Sequence, residues 1–360
     1  MQTTKRIRII MALCAAAFAF ASSAAAELPE IKITNAQMVQ MPHFRFILPN
    51  SAIEFSVHQQ ISSATFNIDS KYDILDSFFH IGFDIRNNFA PYFAGVGVSD
   101  TIYFEQHYGP KTYFQRTHNV TPYFGYDLGR FTQVKTGISF ANTLTASVDK
   151  DVEIDKGNLI IESAGIKYNT NDPLNHVPNG TMLSLMLYSS LHNLASDYDY
   201  TKGEVDIKST YMPWEKDYLE SNFKFYFPMT SDLRPISEVY FAGGYDLLRG
   251  YGYNEFFGDT LMYGKLNYHI PVARNVKKHA LRAALQILTI DITVETAQIG
   301  NVIDFGSMYS MKTSMSAGLG CDVVMFEHIN LKFDTFVGKA MEFRPPVFYF
   351  ILTAYTYFSI

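Results

Sequence analysis

From about Ala52 to the C-terminus, apolar and polar residues alternate with a period of two, the pattern of strands with two unlike faces. Phe79, Ile81, Phe83 and Ile85 alternate with His80, Gly82, Asp84 and Arg86. Thr132, Val134, Thr136, Ile138 and Phe140 alternate with Gln133, Lys135, Gly137 and Ser139. Leu219, Ser221, Phe223, Phe225 and Phe227 alternate with Glu220, Asn222, Lys224 and Tyr226. Asn87-Asn88 reads as a turn before a further strand near Tyr92 to Val98. Counted back from the C-terminus, the pattern predicts strands near 347–357, 329–337, 313–325, 283–294, 260–270, 218–227, 203–212, 181–191, 159–169, 131–140, 118–128, 101–108, 91–98, 78–86, 61–69 and 51–58.

Such alternation suits a soluble sandwich as well as a membrane barrel. Two features favour the barrel. Segments of 9 to 11 residues match a tilted membrane-spanning strand. The connections also alternate in length: Leu128 to Arg130, Met212 to Lys216 and Phe326 to His328 are short and fall on one side. Ala141 to Asn158, Pro228 to Gly258 and Thr296 to Met311 are long and fall on the other. Short periplasmic turns and long extracellular loops are the outer-membrane arrangement. The predicted fold is therefore all-β: a transmembrane antiparallel barrel of about sixteen strands over residues 51–360.

The ends and the composition agree with export. Residues 1–26 read as a signal peptide, with Lys5, Arg6 and Arg8 ahead of an apolar run from Ile9 to Phe20 and a small-residue cleavage site at Ala24-Ala25-Ala26. Residues 27–50 read as a short periplasmic lead-in, in which Phe44, Phe46 and Leu48 alternate until Pro49 interrupts them. Past residue 26 the only cysteine is Cys321, so no internal disulfide is expected. Without the three leader cations, 26 Lys+Arg stand against 35 Asp+Glu, a net charge of −9 that argues against a nucleic-acid partner. Tyr 24 and Phe 30 against a single Trp make the chain rich in strand-favouring aromatics. Past the leader no apolar run approaches a helical span, so a membrane location requires a barrel.

The longest connection carries the stretch Gly243-Gly244-Tyr245-Asp246-Leu247-Leu248-Arg249-Gly250-Tyr251-Gly252-Tyr253, in which Arg249 is the one cation. Glycines allow tight turns and close backbone approach. A guanidinium can grip a carboxylate and stack on a ring. From these residues alone, a pinned loop and a solvated loop with an idle arginine both remain open. The surroundings extend the pattern. Leu-Arg-Gly-Tyr follows strand eleven, then come Gly258-Asp259-Thr260-Leu261-Met262 and a strand ending in Pro271. Tyr168 to Asp172 with Pro178-Asn179-Gly180, Ile290-Asp291-Ile292 and Met315 to Gly320 stand at matching intervals. The whole resembles the barrel of the outer-membrane assembly superfamily of BamA and TamA, also called the bacterial surface antigen family.

The resemblance implies that this extracellular loop folds into the barrel lumen, where its arginine meets acids on strands twelve and thirteen. Carried over by position, Arg249, Gly250 and Tyr251 form the loop side and Asp291 the wall partner. Alternation independently turns Asp291 inward, because Leu288, Ile290, Ile292 and Val294 make the apolar face. Asn267 stands where the family usually has glutamate, and Thr293 where glycine is common, so the lock is expected to hold one carboxylate in place of two. Members commonly carry periplasmic POTRA domains; residues 27–50 leave no room for one, so a barrel-only member is expected, with any POTRA domains on a separate partner. The C-terminal Phe358-Ser359-Ile360 departs from the usual aromatic finish.

No catalytic, cofactor or metal site is expected. The ten histidines are dispersed, without His-x-x-His, Cys-x-x-Cys or Gly-x-Ser-x-Gly spacing, and His192-Asn193 reads as a plain loop pair. Asp149, Asp151, Glu153 and Asp155 read as a solvated acidic loop. Asp84, Arg86, Glu105, Lys135, Glu204, Asp206, Lys208, Glu220, Lys224, Lys265, Lys332 and Asp334 would line a wet, mixed-charge lumen. The expected function, implied by the resemblance, is to assist insertion or transport of proteins or lipids into or across the outer membrane of a Gram-negative bacterium. It would act without covalent chemistry, on outer-membrane lipid and unfolded outer-membrane or secreted proteins. The alternative is a passive, porin-like channel, which a wet lumen suits equally.

Overall fold

The computed structural model describes residues 37–48, 51–60, 64–73, 79–94, 96–97, 112–147, 152–170, 179–190, 195–212, 217–230, 234–244, 247–251, 255–278, 283–300, 303, 311–325, 329–343 and 346–359. The strands are β1 (Gln37–Leu48), β2 (Ser51–Gln60), β3 (Ala64–Asp73), β4 (Phe79–Ala94), β5 (Val96–Gly97), β6 (Thr112–Asp127), β7 (Thr132–Ser147), β8 (Val152–Asn169) and β9 (Gly180–Ser190). They continue with β10 (Tyr200–Tyr211), β11 (Tyr218–Pro228), β12 (Tyr240–Ala242), β13 (Phe256–Gly258), β14 (Thr260–Lys278), β15 (Ala283–Gly300), β16 (Lys312–Met325), β17 (Ile329–Ala340) and β18 (Val347–Ser359). Fifteen of these form one large sheet; sequence neighbours pair antiparallel, and β1 also pairs with β18 in parallel, so the strand order is circular. The remaining three, β12, β13 and β5, form a small separate sheet.

The two faces of the large sheet are inverted relative to a soluble protein. On β15, Ile290, Ile292 and Val294 are about two-fifths exposed (39%, 44% and 40%), whereas Asp291, Thr293 and Glu295 are buried (3%, 0% and 1%). Phe140, Leu187, Phe223, Leu266, Met315 and Val337 continue the exposed apolar face on neighbouring strands. A strand's side chains alternate by two, so this phase puts every acid of β15 on the covered side.

Several predicted boundaries shift. The segment 78–86 and the first part of 91–98 are one strand, β4, with Val96–Gly97 forming β5 of the small sheet; Asn87 and Asn88 of β4 pair with Phe66 and Thr65 on one side and His118 and Thr117 on the other. Local turn preference loses here to ladders on both edges, which satisfy the asparagines' backbone groups. The segment 101–108, with Glu105, lies outside the described residues. The sheet also begins earlier than the alternation placed it, at β1, which ends ahead of Pro49. The long connection 141–158 shrinks, because β7 runs to Ser147 and pairs through to Val152. Asp155 is therefore a strand residue and not part of a solvated loop. The strand of Pro271 continues to Lys278, with a register shift between Pro271 and Ala273 that accommodates the missing N–H.

Small residues shape the covered face of β16 and β17. Gly318 lies opposite both Asp291 and Phe336, and a Cβ there would collide with the Thr335 carbonyl and the Phe336 ring. Gly264, by contrast, faces only the Thr296 methyl at 3.7 Å. Gly318→Val is therefore expected to destabilise the refolded protein by about 1–3 kcal/mol, the usual range for overpacking, and Gly264→Val to leave it near wild type. Urea unfolding of the two variants checks this contrast.

Candidate functional site

The segment between β11 and β14 is organised by a short hairpin. Tyr240 of β12 pairs with Gly258 of β13, and Ala242 with Phe256, which fixes the base of the loop that carries Arg249. Gly243 and Gly244 turn the chain with φ of +113° and +105°, values open mainly to glycine. Gly250 serves differently: it has no positive φ, but a Cβ would strike the backbone of Lys339 and Ala340 on β17. Gly338 makes the reciprocal allowance for the carbonyl of Arg249. The two glycines let two backbones meet.

Leu248 and Tyr251 supply the apolar hold. Leu248 is fully buried at φ +64°, a left-handed conformation that a non-glycine residue adopts at a cost of about 1–3 kcal/mol. Burying a leucine side chain offsets this by about 1.5–3 kcal/mol. It packs with Tyr240, Tyr251, Phe256, Leu261, Tyr263 and Ile299 in one buried cluster. The Tyr251 amide donates back to the Leu248 carbonyl at 3.0 Å, and the Tyr251 carbonyl accepts from the Tyr349 hydroxyl of β18 at 3.0 Å.

Arg249 is 8% exposed. Its backbone N–H donates to Glu295 Oε2 at 2.8 Å. Its Nη1 donates to Thr293 Oγ1 at 3.2 Å. Its guanidinium carbon lies 4.1 Å from the centre of the Phe336 ring. Glu295 is itself fixed, accepting from Tyr263 Oη at 2.8 Å and from Ser314 Oγ at 3.3 Å. A desolvated cation on a ring face contributes about 2 kcal/mol. Each hydrogen bond to a charged group adds roughly 1.5–3 kcal/mol.

From Thr293 a hydrogen-bonded chain runs deeper. Thr293 Oγ1 donates to Asn267 Oδ1 at 2.9 Å, leaving the Asn267 amide nitrogen to face His269 Nε2 at 2.9 Å. His269 Nδ1 lies 2.6 Å from Asp291 Oδ1, so one set of proton positions, with Nδ1–H donating to Asp291, satisfies the whole run. The His269 ring stacks on Tyr218 at 4.1 Å. Strand register brings these groups together: Asn267 lies opposite Thr293, His269 opposite Asp291, and Lys265 opposite Glu295.

Of the residues expected from the sequence, Arg249, Gly250 and Tyr251 sit together on the loop, and Asn267 and Asp291 on the wall beneath it. Glu295 and Thr293 hydrogen-bond Arg249 directly, and the Asp291 carboxylate meets His269. The covered face of β15 thus carries two carboxylates, Asp291 and Glu295. Glu295 lies one residue past the predicted strand 283–294, in the same period of two as Asp291 and Thr293. His269 was legible by the same period from Asn267. Phe336, Gly338 and Leu248 carried no such signal. Among the described residues no group of His, Cys, Asp and Glu could hold a metal ion.

Residues 52–286 match the Omp85 superfamily domain. The chain belongs to the Omp85 superfamily. Omp85 proteins are non-enzymatic outer-membrane barrels that assemble or translocate proteins. The fold is similar to BamA from Haemophilus ducreyi lacking POTRA domains 1–3, at 13% identity and a TM-score of 0.59, over 84% of this chain and 64% of that one. It is also similar to CdiB from Acinetobacter baumannii (11%, TM-score 0.52, 81% and 50%) and CdiB from Escherichia coli (10%, TM-score 0.54, 83% and 55%). This Omp85 chain therefore spans between half and two thirds of those structures. A search of curated protein sequences gave no match.

Two substitutions test the seat. Arg249→Lys keeps the charge and the backbone bond to Glu295 but loses the fork to Thr293 and the flat stack on Phe336. It is expected to weaken the docked loop by about 1–3 kcal/mol, seen as faster cleavage between residues 243 and 259 by added protease. Glu295→Gln should loosen the loop as much or more, because one amide oxygen cannot accept from Arg249, Ser314 and Tyr263 as two carboxylate oxygens do. Cleavage at the wild-type rate in both variants would mean that the loop is held elsewhere.

Proposed function

We propose that the circular strand order is a closed transmembrane barrel in the outer membrane, with the covered face as its lumen and the Arg249 loop folded into it from the extracellular side. Residues 1–26 serve as the export signal. The barrel assists insertion or transport of proteins, or of lipids, into or across that membrane. It works by disturbing lipid and offering a strand edge at the seam between its first and last strands, without covalent chemistry. The observation that carries this reading is the seat itself: in a chain whose residues 52–286 match the Omp85 domain, a loop arginine is buried against Glu295, Thr293 and Phe336 on the polar face of the wall. A loop spent on occupying the lumen suits a barrel whose work is done at its wall more than one built for steady flow. Its partners are then outer-membrane lipid, unfolded outer-membrane or secreted proteins, and a separate chain supplying POTRA domains.

Reconstitution separates this from the porin-like alternative. Liposomes carrying the protein should speed the insertion of a second, unfolded barrel protein and show small, erratic conductance. Steady, large conductance with no effect on insertion would overturn the assembly reading.

A further inference from the structure

The same loop carries a second buried charged cluster, remote from Arg249 in strand order. A single 3-10 turn at Ile236–Glu238 lies on the leading limb of the loop, just before β12. Glu238 Oε2 accepts from Lys202 Nζ of β10 at 2.8 Å, and Glu204 Oε1 of the same strand lies 3.3 Å from that nitrogen. Lys202 is 7% exposed, and the rings of Tyr188 and Tyr240 flank its ammonium at 5.2 and 5.1 Å. The Tyr240 hydroxyl donates to Glu204 Oε1 at 3.3 Å, which fixes the second carboxylate. The turn has one more hold: the Ile236 amide donates to Asp155 Oδ2 of β8 at 2.7 Å. Burial and the adjacent Asp155 push the Tyr198 phenol well above its ordinary value, so it stays protonated and donates to the other oxygen of that carboxylate.

A lysine that buried is costly unless its partners are fixed. Here one partner belongs to the wall and the other to the loop, so the charge is satisfied fully only when the loop is down. The Arg249 seat lies on β15 and β17, and the Lys202 cluster on β8 and β10, with β11 and β14 between them in the sheet. We propose that Lys202 is a second positioning residue of the loop, clasping Glu238, so that the loop is a strap fastened at two walls, with Tyr240 touching both fastenings, and leaves its seat only when both break. This rests on the seating of the loop within the covered face and does not depend on what the barrel transports.

The test compares Lys202→Met, Arg249→Ala and the double variant by limited proteolysis of refolded protein, with cleavage sites mapped by mass spectrometry. Lys202→Met should speed cleavage between 229 and 239 by about tenfold or more and leave 243–255 near wild type. Arg249→Ala should do the reverse. Only the double variant should turn erratic conductance into a steady open current, and Lys202→Arg should restore protection of the leading limb to within a few-fold of wild type. Should Lys202→Met fail to refold, Glu238→Gln, which keeps an acceptor for Lys202 but no charge, should still open the leading limb alone. Unchanged cleavage at 229–239 in Lys202→Met, or in Glu238→Gln where that variant stands in, would overturn the clasp. So would either single variant releasing both limbs, which would make the loop one unit. These outcomes are read without any cargo protein, so a failed insertion assay leaves them intact.

Discussion

A guanidinium buried against the wall of a sheet must find its compensation there, and that requirement organises this structure around Arg249. Water would satisfy it at no structural cost. On the covered face the guanidinium meets a hydroxyl and a ring and the Arg249 amide a carboxylate, all at fixed distances, and each of those needs support of its own. Glu295 is oriented by Tyr263 and Ser314, Thr293 by Asn267, and Phe336 has room only because Gly318 lies opposite it. Three consecutive strands, β15 to β17, thereby become a surface shaped for one short stretch of loop. Gly250 and Gly338 then let that stretch touch the wall backbone to backbone, which a Cβ on either side would forbid.

The polar network is also a register device. A slip of one residue between β14 and β15 would send Asp291, Thr293 and Glu295 to the apolar face and leave Arg249 without any of them. Polar groups in a lipid-facing position carry a heavy penalty, so the same residues that hold the loop resist misalignment of the wall. The run from Thr293 through Asn267 and His269 to Asp291 binds two neighbouring strands by side chains as well as by backbone ladders. Loop docking and strand alignment are in this sense one interaction, consistent with a fold that keeps its architecture at 10–13% identity to its solved relatives.

Much of this was legible in the sequence, and what was missed has physical causes. Period-two alternation located most of the wall because lipid-facing and covered residues differ sharply in polarity. It failed at Asn87-Asn88, where two flanking ladders outweigh a local turn preference. It failed again along β7 and β8 beyond residue 141, where Thr143 and Thr145 are buried and the apolar signal fades although pairing continues. The loop side of the site was visible as a glycine-rich stretch with one arginine. On the wall, Asp291 was visible through its phase and Glu295 lay one residue past an assumed strand end. The fit of Phe336 beneath the guanidinium, and the clearance at Gly338, depend on which strands neighbour one another and at what register, and alternation carries no information on either.

The central claim is that the loop is seated through the Arg249 backbone as well as its side chain. Hydrogen exchange at the Arg249 amide measures this most directly, because that N–H donates to the buried Glu295 carboxylate. In the refolded protein the account predicts that this amide exchanges as slowly as the amides in the middle of β15. Exchange as fast as in an unstructured peptide, with β15 still protected, would show an unseated loop and contradict the account.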